Sequence, residues 1–335
     1  MVSFRPYGLL LAIALLPVAC RSSDSGDSDD GPRQYIAFVG AGTTDPLWPV
    51  LRAGAERYAK THPYHLIKYL VPDVVSPEEQ AKLIHGLLGD VNLRGICVQV
   101  IDPKAMASVL GEASIHGVPV VTMIRDVTPS LRQAFCGIDE HNIGRQLAVA
   151  VGEAVEGSGN IMVLTSSVSD PVYQHRLAGF REGMDRQPNV HVLAYAECDG
   201  KRLQARHVLE EYTKRYPSVG AWVMLDNWAF SRRGNSLPKL INSRPIVAMN
   251  PFPLHWGRLE SGECFALIGG DYGTIGYDAL RLCEMSMGGA LPGRMESLVA
   301  AEIVRASELV AFRVKWITWS SPTLDAIGEP ARGSL

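Results

Sequence analysis

The sequence predicts an α/β protein of two units, each a parallel sheet with helices on both faces. Three observations carry this. Short apolar runs rich in β-favouring residues, at 35–39, 64–71, 95–100 and 118–124, alternate with longer stretches of helical apolar spacing. Each pair of runs is separated by enough chain for a helix, which parallel pairing requires. The alternation then restarts after Asp139 at a similar size. Two such units are a more economical use of 335 residues than one very wide sheet.

The first unit is organised around YIAFVGAGTTDPLWPVLRAGAERYAK, residues 35–60. Residues 35–39 suit a buried strand. Gly40 and Gly42 allow close backbone approach, and Trp48, Leu51, Ala55 and Tyr58 or Ala59 recur at helical spacing. Asp45 and Trp48 therefore fall just past the strand's carboxyl end, where open α/β sheets bind ligands. A carboxylate accepts hydroxyl protons and an indole face covers C–H patches, so the pair suits a polyhydroxylated ring. The alternative is that Trp48 belongs to the core and Asp45 caps the helix.

Further along, Ser76-Pro77-Glu78-Glu79 is a helix start, with Ser76 as cap, proline in the first turn and Glu79 closing a capping box. Asp102-Pro103 starts another helix, running to about residue 116. In the second unit a strand at 135–138 leads to a helix over 140–155. A strand at 160–165 leads to Asp170-Pro171, the start of a helix carrying Arg176. Strands at 190–195, 220–225, 246–250 and 266–269 follow, with helices at 203–216 and 272–287.

Composition excludes several classes. An apolar fraction of 47% with 20% charged residues is that of a globular protein. The formal charge of −3 offers no basic face for nucleic acid. Six cysteines in a chain of this length are not a disulfide framework; Cys97 and Cys136 fall in predicted buried strands, while Cys198, Cys264 and Cys283 could supply one disulfide. Gly40 and Gly42 do not complete a dinucleotide fingerprint, and the sequence holds no phosphate-binding loop motif, metal-ligand spacing or serine-hydrolase elbow. The reading is a binding protein, not an enzyme, with no cofactor or metal.

The amino-terminal residues 1–20 read as a signal peptide: Arg5, then the apolar residues 9–16, then Pro17-Val18-Ala19-Cys20. That junction resembles a bacterial lipoprotein cleavage site with Cys20 as the lipidated residue. The pattern prefers Leu three residues before the cysteine and finds Pro17, which leaves ordinary signal cleavage as the alternative. Residues 21–33 are acidic and of low complexity, a tether with a root-mean-square reach of roughly 20 Å.

Polar or aromatic groups recur at or just beyond strand carboxyl ends: Asp45, Trp48, Arg125, Asp226, Asn227, Asn250 and Asp271, with Arg176 on a following helix. Singly each could be a cap or a solvated charge. Jointly they would meet in one cleft if the carboxyl edges of two sheets face one another.

Residues 35–309 resemble the type I periplasmic substrate-binding proteins, in their ribose and related sugar-binding branch. Thr44-Asp45-Pro46-Leu47-Trp48 resembles that family's Asn-Pro-aromatic-aromatic entry. Gly117 to Thr122 (GVPVVT) is similar to its G-I-P-V-V strand, and Gly137-Ile138-Asp139 with Gly144 to its crossover into the second lobe. Arg176 to Phe180 (RLAGF) resembles its R-x-x-G-F helix, Tyr216-Pro217 with Gly220 to Trp222 its P-x-x-x-A-I strand entry, and residues 299–309 its closing segment. The resemblance implies two doubly wound lobes joined by a three-crossover hinge: 34–138 with 270–297, and 139–269 with 298–312. Residues 313–335, with Trp316 and Trp319, form an extension read as an added packed strand.

The resemblance further implies a monomeric envelope protein. Trp48 would stack on a small polar ligand, a sugar, while Asp45, Arg125, Arg176, Asp226 and Asn250 bond to it. Hinge closure would then present the closed form to an ABC-type permease, or alternatively to a membrane sensor without transport. The lactose-repressor type of regulator shares the lobes but has a DNA-binding helix pair where this chain has its signal segment. The chain departs from the family pattern at Ile124, Leu225, Asn250 and Gly270, where the family has Asp, Asn, Asp and Gln. An unpartnered buried hydroxyl costs ~1–3 kcal/mol, so ribose itself does not follow.

Overall fold

A computed structural model describes residues 33–63, 66–166, 170–230, 237–289 and 295–321. The expected signal peptide, Cys20 and all but Arg33 of the tether lie outside the described residues, as does the chain after 321.

The chain runs β1 (Tyr35–Val39), α1 (Trp48–Thr61), β2 (Leu66–Leu70), α2 (Pro77–His85), β3 (Leu93–Gln99), α3 (Pro103–Ile115), β4 (Val120–Met123) and β5 (Ala134–Ile138). There follow α4 (Glu140–Ala154), β6 (Gly159–Thr165), α5 (Pro171–Met184), β7 (Val190–Glu197), α6 (Arg202–Arg215), β8 (Ala221–Met224), α7 (Lys239–Asn242), β9 (Ile246–Met249), α8 (Trp256–Glu260) and β10 (Ala266–Gly270). The last elements are α9 (Tyr272–Met287), β11 (Met295–Val299), β12 (Ala301–Arg305) and α10 (Leu309–Trp319).

Two six-stranded sheets result, in the orders β11-β5-β4-β3-β1-β2 and β12-β10-β9-β8-β6-β7. Every described pairing is parallel except β10 with β12. The two orders superimpose position for position, so each lobe repeats the other's winding. The chain changes sheet three times: from β5 into α4, from β10 into α9, and from β11 to β12. Gly270 belongs to the second sheet and β11 extends to Val299 in the first, so these residues lie in the opposite lobes to those expected. The exchanges sit at Asp139, Asp271 and Ala300, where one sheet's pairing ends and the next begins.

Local chemistry explains the helix starts. Asp102, Asp139, Asp170 and Asp271 each accept backbone N–H groups of the first turn of α3, α4, α5 and α9. Ser76 accepts the Glu79 N–H as expected, but its hydroxyl donates to Glu78, 2.7 Å away; Glu78, not Glu79, closes the local loop. Each lobe also has one close helix crossing made by glycines. A Cβ on Gly276 would lie 1.9 Å from the Leu51 carbonyl, and one on Gly179 would lie 1.9 Å from that of His141. These pin α9 to α1 and α5 to α4.

The extension is a helix, α10, not a strand. Phe312, Trp316 and Trp319 recur at helical spacing and pack together, which a strand's alternation would not allow. Arg313 pairs with Glu260 and Lys315 with Glu302, both in the second lobe. The far end of α10 is held by the first lobe, where Arg57 donates to the carbonyls of Trp319 (2.8 Å) and Ser321 (3.1 Å). A guanidinium suits this place, since a helix carboxyl end carries partial negative charge. The five described cysteines, Cys97, Cys136, Cys198, Cys264 and Cys283, are all buried free thiols, so the disulfide left open in the sequence is not formed among them. Among the described residues no helix is long and apolar enough to cross a membrane.

Candidate functional site

The strands of each sheet end at one edge, and the two edges face each other across a cavity of about 230 Å³. The first lobe contributes Asp45 after β1, Ile124 and Arg125 after β4, and Ile138 at the end of β5. The second contributes Glu140 on α4, Tyr173 and Arg176 on α5, Asp226 after β8, and Asn250 and Phe252 after β9. Tyr272, opening α9, completes the wall at the hinge. The volume lies below the ~300–1,000 Å³ of drug-sized sites, so the site is scaled to a small molecule.

Five of the six residues singled out in the sequence therefore meet: Asp45, Arg125, Arg176, Asp226 and Asn250. Trp48 does not. Its indole lies against Gly40, where a Cβ would come within 2.3 Å of Cε3, and it packs on Phe38 and Tyr69 at centroid distances of 6.0 and 6.4 Å. Helical spacing placed Trp48 in the first turn of α1 but left its direction open; the core claims it. The aromatic faces at the cavity are instead Tyr173, Phe252 and Tyr272.

Asp45 is held by neutral donors. Its Oδ1 accepts the Leu47 N–H at 2.7 Å and its Oδ2 the Gln99 amide at 3.2 Å. Gln99 is fixed in turn by accepting the Ala41 N–H, while the fully buried Gln80 spans the carbonyls of Gly40 and Gln99. Burial raises the Asp45 pKa above its ordinary value, and the amide donors only partly oppose that.

Arg176 is locked within the second lobe and is not a free ligand donor. Its Nε and Nη2 reach Glu140 Oε2 at 2.8 and 2.6 Å, its Nη1 donates to the Leu225 carbonyl, and Asp226 lies 3.8 Å away. Burial opposes the charge, but Glu140 and Asp226 outweigh it and keep the Arg176 pKa raised. Glu140 is pushed up by burial against the pull of Arg176. Leu225, where the resembled family has Asn, thus contributes its carbonyl rather than a side chain.

Asp226 joins the rest of the wall. Tyr173 donates its hydroxyl to Oδ2 at 3.1 Å and Asn250 its amide to Oδ1 at 3.0 Å. Tyr272 donates to Asn250 Oδ1 at 3.3 Å. Burial raises the pKa of both tyrosines, so they are neutral donors. Arg125 crosses to the opposite lobe and meets Asp170 at 2.6 Å, with each side chain about a third exposed (32% and 31%). This bridge joins the loop after β4 to the amino end of α5. Glu140, Tyr173, Phe252 and Tyr272 were not singled out in the sequence. Glu140 and Tyr272 lie within two residues of a strand's carboxyl end, the same signal that marked Asp45 and Asn250.

Two similar lobes facing across a small cavity lined by charged, amide and apolar groups, with the chain passing between them three times, define a two-lobed solute-binding protein. The chain belongs to the periplasmic binding protein domain family, which matches residues 36–290, and its fold is the type I form. Curated proteins give no match. Among solved structures it is similar to a sugar ABC transporter sugar-binding protein from Bacillus halodurans (19% identity, TM-score 0.72, 84% of this chain and 100% of that one). It is also similar to an ABC transporter solute-binding protein from Burkholderia graminis in complex with D-arabinose (18%, 0.68, 83% and 97%). A third likeness is to XylFII in a XylFII–LytSN complex (19%, 0.65, 83% and 99%).

Proposed function

We propose that this protein captures a small polar ligand, a sugar, between its lobes in the cell envelope and delivers it to an ABC-type permease. One observation carries the reading: the carboxyl edges of both sheets bring Asp45, Asp226 and Asn250 around a single small cavity with Tyr173, Phe252 and Tyr272 as apolar faces. Carboxylates and amides that bond sugar hydroxyls, beside aromatic rings that cover C–H faces, suit this ligand class. The likeness to structures that hold D-arabinose, D-tagatose and D-allose supports it. The Arg125–Asp170 bridge across the mouth supports a hinge that closes over the ligand. Cys20 would carry a lipid anchor, with residues 21–33 as its tether.

A second reading, in which the closed form is presented to a membrane sensor without transport, is favoured by the likeness to XylFII in its complex with LytSN. Both readings share the first test. A thermal-shift screen of pentoses, hexoses, polyols and amino acids should give a rise in Tm with sugars or their derivatives, because a ligand that binds only the folded state stabilises by RT ln(1 + [L]/Kd). Hits confined to amino acids would overturn the sugar reading. For the anchor, Cys20→Ser should move the protein from the membrane fraction to the soluble envelope fraction; identical fractionation overturns lipidation.

A further inference from the structure

Charge is unevenly matched around the cavity. Asp45, Glu140 and Asp226 line it with Arg125 and Arg176, but Arg125 is turned onto a fourth carboxylate, Asp170, and Arg176 is shared by Glu140 and Asp226. Asp45 is left with neutral partners: among the described residues no cationic side chain pairs with it. On the other lobe, both Arg176 contacts fall on Glu140 Oε2, so Oε1 has no bond from a described residue. The first lobe therefore presents Asp45 to the cavity without a matching cation, while on the second lobe a single guanidinium, Arg176, serves both Glu140 and Asp226.

Burying a charge without a counter-charge is costly, and a hydroxyl's dipole offsets less of that cost than an ammonium does. The aromatic faces of Phe252 and Tyr272 also favour a cation over an anion, through the ring quadrupole. Against this, carboxylates also bond the hydroxyls of neutral sugars, so the contest is between a neutral and a cationic member of one ligand class.

Resting on the sugar-binding reading above, we propose that the preferred ligand is cationic, an amino sugar or amino polyol whose ammonium pairs with Asp45. Its hydroxyls then meet the remaining acceptors of Glu140 and Asp226.

The test is calorimetric titration at neutral pH with matched pairs: glucosamine and glucose, galactosamine and galactose, mannosamine and mannose. Each N-acetylated amino sugar is included, since it keeps an N–H donor but loses the charge. The wild type should bind one amino sugar at least about tenfold more tightly than its neutral parent and its N-acetyl form. Asp45→Asn, with a cooperative melt, should abolish that preference. A neutral sugar binding as tightly as its amine overturns the cationic ligand and leaves the sugar reading standing; a preference that survives in Asp45→Asn overturns the pairing of the ammonium with Asp45. No binding in any pair overturns the amino-sugar ligand, while the sugar reading stands or falls with the wider thermal-shift screen. The comparison with N-acetylated forms uses only the wild type, so it stands even where Asp45→Asn does not fold.

Discussion

Ile124 and Asn250 occupy the same place in the two lobes. Each directly follows the fourth strand of its winding, β4 or β9, each lines the cavity, and each has a left-handed backbone, with φ of 69° and 65°. Asparagine tolerates that conformation through local hydrogen bonding; a β-branched residue does not. The chain turns sharply at both places to carry Arg125 and Phe252 along the cavity rim.

Ile124→Asn should therefore stabilise the protein. A non-glycine residue in this region costs on the order of 1–3 kcal/mol, and a half-buried isoleucine returns only part of that through packing. A net gain of about 1 kcal/mol, or a Tm rise of roughly 2–4 °C, is expected from a thermal melt. An unchanged or lower Tm would show that the isoleucine's packing outweighs its backbone strain.

Asp45 sets a pH dependence. Burial raises its folded-state pKa above the ordinary 3.8, so the folded protein keeps this proton to higher pH than the unfolded chain does. The stability it contributes is full below 3.8 and is lost as pH rises through the folded value. Asp45→Asn removes that loss. The ligand-free variant should melt above wild type at about pH 7, with the gap closing towards pH 4 and below. A gap that widens on acidification would contradict this.

Arg176 and Glu140 behave as one buried unit. Arg176→Ala leaves Glu140 charged and unpaired, at a cost of about 3–5 kcal/mol and a fall in Tm on the order of 10 °C. Arg176→Met with Glu140→Gln should recover much of it, since replacing both partners removes the stranded charge. A single variant that melts like wild type would mean that the pair is not closed in solution. Trp48→Ala, by the same logic of packing, should lower Tm while leaving the affinity of the folded protein within about twofold.

The Arg125–Asp170 bridge should hold the proposed hinge towards its closed form. Exposed pairs contribute about 0–1 kcal/mol, so Arg125→Gln should shift the ligand-free balance towards open by no more than about fivefold. Small-angle scattering should show a larger radius of gyration for the variant, and wild type should approach it as salt rises and screens the pair. Identical radii at all salt concentrations would remove the bridge from the closing equilibrium.

Much of this fold is written locally. Ser76, Asp102 and Asp170 announce their helices because a side-chain oxygen one step before a helix takes up orphan N–H groups, and the structure adds Asp139 to them. The site was legible where position alone decides, as at Asp45, Asp226 and Asn250, just past buried strands. It was not legible where direction decides. Trp48 and Asp45 lie only three residues apart, yet Trp48 packs on Gly40, Phe38 and Tyr69 while Asp45 lines the cavity. Glu140 and Tyr272 read as helix starts because the sequence does not say which helices begin at the facing edge. Arg176 carried the right address and a different occupation, since its partners Glu140 and the Leu225 carbonyl come from separate elements.

The three exchanges between sheets bear on how the chain is made. The first lobe is not a contiguous stretch: α9 and β11 reach it only after α4 to β10 of the second lobe have been synthesised, and the Arg57 site that holds the end of α10 is filled later still. Until then α1 exposes the face at Leu51 and Gly54 that α9 will cover, and β5 lacks the neighbour that β11 will supply. A ribosome-bound chain is thus kept from completing its first lobe until β11 has been made. The order of its segments postpones the compact state of the first lobe to a late stage of synthesis.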